Sequence, residues 1–372
     1  MRFLVFLFFM SIPFSYSELF GVRVLFFQVL FGSLFLVLKS LKKSRITFYF
    51  NFSMAALIAL WYLALVYSLR TGYFNELLAL TVFMLLTFIT YQIDSGSLED
   101  IINFYKYAVL FTAVGVLVQF LVHRLLGVEL FRYQLFGGGR NAYSFIWEDY
   151  SFISLFIVSG IPLFFDKKVN LKFLLFACFL LLSSLITSAR TGVVAFILFV
   201  GFYVGVEVFK SLLIGRIKKL IIITFIAMLI LSAFLIIAME SLTGRQVTGS
   251  SSGRIDDFVL GLSYLKENIL FGFCFDKVAY VDNVSVIPHN VFIYMLYMGG
   301  LAAFAVFMLW FFLVVFKVRF SDKRLIGALL ICLLGFQFIP SFYSAYFLAV
   351  LLGAAFVSAR HNKNKINLES IA

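Results

Sequence analysis

Apolar positions in this chain come in long unbroken runs, separated by short polar clusters. The runs are mostly about 17–25 residues long and show no strand-like alternation, so they predict membrane-crossing helices and not barrel strands. Helices are predicted over roughly 3–15, 19–38, 46–69, 77–93, 104–123, 150–165, 171–188, 192–209, 220–239, 290–316, 325–339 and 342–358. The first run follows a lone Arg2 and has the outline of a signal peptide. It leads almost directly into the next apolar run and is read as a short first helix. The expected fold is an all-α polytopic integral membrane protein with about 12 transmembrane helices.

Composition agrees, with 63% hydrophobic and 13% charged residues and 51 phenylalanines; a soluble domain does not carry that balance. The net charge of +12 does not point to nucleic acid, because of where it sits. Basic residues cluster at alternate loops: Lys39/Lys42/Lys43/Arg45, Lys167/Lys168/Lys172, Lys210/Arg216/Lys218/Lys219 and Lys317/Arg319/Lys323/Arg324, with Arg360, Lys363 and Lys365 in the tail. That is the positive-inside pattern, and it puts both termini in the cytoplasm. The loop from Asp94 to Asp100 is an exception, acidic yet on the inner side. The expected organisation is an N-terminal bundle (1–239), an outward loop (240–289), and C-terminal helices with a cytoplasmic tail (290–372). Cys178, Cys274 and Cys332 are far apart and give neither metal spacing nor a disulfide framework.

Three segments face outward: Arg124 to Asp149, Thr187 to Gly192, and Glu240 to His289. The last is a polar island. It runs from Gly249-Ser250-Ser251-Ser252-Gly253-Arg254 through Leu270-Phe271-Gly272-Phe273 to Pro288-His289-Asn290. Irregular backbone of this kind must be satisfied by water or protein and cannot face lipid. Outward basic residues are mostly arginine (Arg70, Arg124, Arg132, Arg140, Arg190, Arg245, Arg254) against Lys266 and Lys277. The planar guanidinium grips phosphate at two points and keeps its charge at low dielectric, so the bias predicts an anionic ligand at the outer leaflet.

Each candidate has two readings. Arg190, in Thr187-Ser188-Ala189-Arg190-Thr191-Gly192, is an interfacial arginine reaching for water or a phosphate contact at a helix boundary, assisted by Ser188, Thr191 and free backbone N–H groups. Arg254 pairs with Asp256 and Asp257 on the surface, or holds the ligand. Arg140 follows Gly137-Gly138-Gly139, where backbone can approach a ligand closely; Arg245 has less context still. His289 caps or flanks a helix, or serves as a base near neutral pH. Glu148, Asp149, Glu240, Asp276 and Asp282 compete for the base role. Paired histidines, an outer Asp-x-Asp and a glycine-rich nucleotide loop are all missing, so no metal or nucleotide cofactor is expected.

Taken in order, Thr187–Gly192, Gly253-Arg254 with Leu270–Phe273, and Pro288-His289-Asn290-Val291-Phe292 running to Gly299-Gly300-Leu301 resemble the motifs of the bacterial O-antigen polymerase and O-antigen ligase superfamily. The resemblance covers roughly 187–301; the first half agrees only in its hydropathy layout. Cys274 stands where the family commonly has a second glycine, and no tryptophan follows the loop arginine. The resemblance implies a metal-independent glycosyltransferase of the bacterial inner membrane, using undecaprenyl-diphosphate-linked oligosaccharide at the periplasmic face. Membrane lipid and a chain-length regulator are the further partners it implies. Arg190 and Arg254 would clamp the diphosphate, Arg140, Arg245, Ser188 and Asn290 would bind substrate, and His289 would activate or orient the acceptor hydroxyl. A polymerase fits best, because the chain is short with modest loops. The alternatives are a ligase transferring glycan to lipid A-core and a flippase, the latter disfavoured by helix centres nearly free of charge.

Overall fold

An apolar run closes its backbone hydrogen bonds within itself when it coils into a helix, and most of this chain does so. A computed structural model describes residues 1–19, 22–42, 48–136, 140–165, 170–213, 241–242, 254–284 and 287–369. The helices are α1 (Arg2–Met10), α2 (Val24–Lys42), α3 (Phe52–Thr71), α4 (Asn75–Tyr91), α5 (Leu98–Leu126), α6 (Tyr150–Ser159), α7 (Leu171–Ile186), α8 (Arg190–Leu213), α9 (Arg254–Glu267), α10 (Lys277–Val284), α11 (Val291–Val318), α12 (Lys323–Gly335) and α13 (Tyr346–Glu369). Among the described residues four helices, α2, α3, α5 and α11, are long and apolar enough to cross a membrane. The predicted helix at 220–239 and Arg245 lie outside the described residues.

The all-α expectation needs correcting in two places. A short pairing of Glu18–Leu19 (β1) with Val22–Arg23 (β2) delays the second helix to Val24. A longer hairpin, Arg132–Phe136 (β3) with Arg140–Phe145 (β4), follows α5. The segment 240–289 is also more than a loop, since it contains α9 and α10.

The contacts divide the chain into two units. The first comprises Met1–Tyr105, Gly249–Ile326 and Phe336–Ala372. Its core is aromatic: Trp310 stacks on Phe342 at 4.5 Å, with Phe83 and Phe307 against the same ring at 5.2 and 5.3 Å. Helix α13 is buried almost throughout from Tyr346 to Ala359 and packs chiefly on α4. The acidic stretch that broke the inner-loop pattern is answered within this unit. Asp94 pairs with Lys39 (2.9 Å), Asp100 with Arg2 (2.6 Å) and Glu99 with Arg324 (2.5 Å).

Helix α11 is broken at Gly300, whose backbone (φ 65°, ψ −172°) is outside the helical region. The turns of residues 268–276 dock into the break and bond it. Phe273 N–H donates to Tyr297 O (3.1 Å) and Phe275 N–H to Met298 O (2.8 Å). In the other direction, Leu301 N–H donates to Ile269 O (2.8 Å) and Ala302 N–H to Leu270 O (3.1 Å). Tyr67 O–H reaches Gly299 O at 3.2 Å. The groups that the break frees are thereby paired, as an apolar setting requires. Glycine is needed on both sides. A Cβ on Gly300 would lie 2.4 Å from Leu270 O, and one on Gly272 (φ 56°) would lie 2.3 Å from Tyr297 O.

The second unit comprises Lys106–Thr248 and Gly327–Gly335. Helix α6 packs on α7 and α8, and the β3–β4 hairpin is held between two surroundings. Cross-strand partners share a face. Tyr133 and Tyr143 face the end of α5, where His123 stacks on Tyr133 (4.2 Å) and its Nδ1 bonds the Tyr143 hydroxyl (2.9 Å). Phe136 and Arg140 occupy the opposite face, toward Tyr150 of α6 and the turn between α7 and α8.

Candidate functional site

The turn Thr187–Gly192 is built from small hydroxyl residues because three helices meet there. Ser154 of α6 bonds the Ser184 hydroxyl (2.8 Å), accepts from Gly192 N–H (3.0 Å) and donates to Ala189 O (3.3 Å). Thr187 Oγ1 donates back to Ser184 O (2.7 Å). Gly192 allows this approach, since a Cβ there would fall 2.4 Å from Ser154 O. Ser188 sits at φ 61°, a left-handed conformation that costs a non-glycine residue about 1–2 kcal/mol. That geometry turns both its oxygens toward Arg140. Arg140 Nε donates to Ser188 Oγ (2.7 Å) and Nη2 to Ser188 O (3.1 Å), while the guanidinium stacks over Phe136 at 4.5 Å.

Arg190, the first residue of α8, stands beside it. Burial, and then the charge of Arg190, push the Arg140 guanidinium below its ordinary pKa. Arg140 makes no ion pair among the described residues. The Nε of Arg190 is buried while the residue as a whole is partly exposed, an arrangement that leaves the end of the guanidinium able to reach solvent. Arg140 and Arg190 thus both lie at the start of α8, where the helix dipole favours an anion.

The other predicted residues fall elsewhere. Arg254 opens α9 and His289 precedes α11, both in the first unit. His289 is exposed. The N-cap of α11 is Asn290, whose Oδ1 accepts from Phe292 and Ile293 N–H (3.0 and 3.2 Å) while Nδ2 donates to Gln337 (2.6 Å). Asn290 therefore spends its side chain on helix capping. Two of the carboxylates considered as bases are also caps: Asp149 for α6 (2.6 and 3.2 Å) and Asp276 for α10 (3.0 and 3.1 Å). Glu148 pairs with Arg132 at 3.6 Å on the surface.

Sequence reasoning missed Glu76. It lies in the first turn of α4, only 4% exposed, and joins four distant segments. Lys277 Nζ of α10 is 2.5 Å from one carboxylate oxygen. The hydroxyls of Tyr294 (α11) and Tyr343 donate to the other at 2.9 and 2.5 Å. A lone glutamate after an apolar helix carries no sign of partners some 200 residues away, because only the fold brings them together.

Sequence comparison adds nothing to this geometry. No protein-family model matches the chain, and no curated protein is significantly similar to it. The chemistry must be argued from the two clusters themselves. In the first unit every charge of the Glu76 cluster is met by a partner, which makes a brace. In the second, the Ser188 turn brings the Arg140 guanidinium to the start of α8, a chemistry suited to a phosphate-like anion. Among the described residues no three His, Cys, Asp or Glu side chains come together as a metal site would require.

Proposed function

We propose that the chain is a glycosyltransferase of the bacterial inner membrane that joins undecaprenyl-diphosphate-linked oligosaccharide units at the periplasmic face, an O-antigen polymerase. The observation that carries this reading is Arg140 fixed by both oxygens of Ser188, in the turn that leads into α8 at Arg190, with no ion pair to Arg140 among the described residues. In the reaction the bond between the donor's anomeric carbon and the diphosphate oxygen breaks. The acceptor hydroxyl oxygen forms the new glycosidic bond and its proton passes to a base. Undecaprenyl diphosphate leaves carrying the negative charge that developed in the transition state. Fixed guanidinium groups stabilise that charge, and removing one such donor costs roughly 100- to 1,000-fold in rate. Arg254, in the other unit, is a diphosphate candidate by sequence pattern alone.

The reading takes about 12 membrane helices with both termini in the cytoplasm. The ion pairs of Arg2, Lys39 and Arg324 with the acidic stretch 94–100 support that topology, since they join segments it assigns to one side. The direct test is deletion of the gene in its host and electrophoresis of the lipopolysaccharide. Loss of the ladder, leaving core with a single repeat unit, is the expected result. Bare core with lipid-linked polymer accumulating outside would make the protein a ligase instead. Bare core with single units held at the inner leaflet would make it a flippase.

A further inference from the structure

The strand that supplies the stacking partner of Arg140 holds a second polar group on the same face. Phe136 lies opposite Arg140, and Gln134 lies opposite Ala142, two residues earlier along β3. Alternate residues of a strand share a face and stand about 6.5–7 Å apart, a span that one sugar ring covers. Gln134 is exposed, and its Oε1 lies 3.4 Å from the Tyr150 hydroxyl, a long contact that leaves the amide adjustable. The same Tyr150 ring packs edge-on against Phe136 at 5.7 Å, so one side chain lies against both positions. The Nε2 of Gln134 has no partner among the described residues. An amide donor two strand positions from Phe136, over which the Arg140 guanidinium stacks, is suited to a sugar joined to a phosphate at Arg140.

We infer that Gln134, beside Tyr150, forms the subsite for the sugar bonded directly to the diphosphate, with Nε2 donating to an oxygen of that ring. This rests on the reading of Arg140 and Arg190 as the diphosphate site. A site that hydrogen-bonds a substrate oxygen discriminates against sugars lacking it far better than an apolar pocket discriminates by size. Gln134 is thus a specificity residue, separate from the groups that stabilise the leaving diphosphate.

The test uses the full-length protein in detergent and the lipid-linked single repeat units that a deletion strain accumulates. Polyprenyl diphosphate without sugar serves as a competitive inhibitor. Gln134→Ala, and Gln134→Glu, which keeps the size but removes the donor, should each raise KM about tenfold and leave kcat within about twofold. Inhibition by the sugar-free diphosphate should be unchanged in both, whereas Arg190→Ala should lose it. An unaltered KM in Gln134→Ala alongside an inactive Arg190→Ala would overturn the sugar subsite alone. Full turnover by Arg190→Ala would overturn the diphosphate reading and the subsite with it. Because Gln134 is exposed, thermal unfolding of its variants should match the parent, which separates a binding effect from a folding one.

Discussion

The Glu76 cluster and the Ser188 turn are both polar sites set among apolar helices, yet their charges are balanced differently. Around Glu76 one carboxylate meets one ammonium and two phenols, and the segments involved are α4, α10, α11 and the stretch before α13. Such a cluster ties elements together and has no remaining valence for a ligand. At the Ser188 turn, a strained residue and a web of hydroxyl bonds fix one guanidinium, Arg140, next to the start of α8. Arg140, which makes two hydrogen bonds to Ser188 and no ion pair among the described residues, keeps a charge that an anion could meet. Burial alone does not mark a functional site; the balance of charge within it distinguishes the two.

The comparison makes predictions of decreasing size. The largest concerns Arg190→Ala, which should lower glycosyl transfer by roughly 100-fold or more while barely changing unfolding in detergent. A variant that lost activity only in proportion to its stability would make the turn a second brace. Glu76→Ala should do the reverse, destabilising by about 3–5 kcal/mol because it leaves Lys277 as an unpaired cation beside Tyr294. Replacing Lys277 with Met in the same chain should restore part of that loss in a thermal or denaturant titration. Gly300→Ala should cost about 1–3 kcal/mol in backbone strain alone, with the overlap against Leu270 O adding to it. The smallest effect is expected from Ser188→Gly, which keeps the left-handed backbone but removes the Oγ that accepts from Arg140. Its stability should stay within about 1.5 kcal/mol of the parent, since strain relief offsets the lost bond, while KM for the lipid-linked donor rises.

Much of the helical layout could be read from the chain, because an uninterrupted apolar run leaves the backbone few other choices. The run predicted at 171–188 is α7, which starts at Leu171 and stops at Ile186. The β3–β4 hairpin went unread, although Gly137-Gly138-Gly139 between two stretches rich in Tyr, Phe and Leu is a hairpin signal. The glycines were taken as a place for ligand approach, and the strands beside them were lost. Both halves of the break in α11 were visible as motifs, Leu270-Phe271-Gly272-Phe273 and Gly299-Gly300. That they bond to each other was not, because hydrogen bonds such as Phe275 N–H to Met298 O and Leu301 N–H to Ile269 O leave no local periodicity. Cys274, noted as standing in a glycine's place, is at φ 51°, the conformation in which glycine would be unstrained. Of the site, Arg140, Ser188 and Arg190 were legible as residue types in outward segments, but their meeting depended on the hairpin. Asn290 illustrates the converse: a residue legible from its motif whose side chain the fold commits to a helix cap.

The central claim is that the Ser188 turn binds a lipid diphosphate. Native mass spectrometry of the detergent-solubilised protein with undecaprenyl diphosphate, with undecanoate as a carboxylate control, tests it without requiring turnover. Selective retention of the diphosphate by the parent chain and by Lys277→Met, and its loss from Arg140→Ala and Arg190→Ala, is the predicted result. Equal retention by the parent and both arginine variants would contradict the claim.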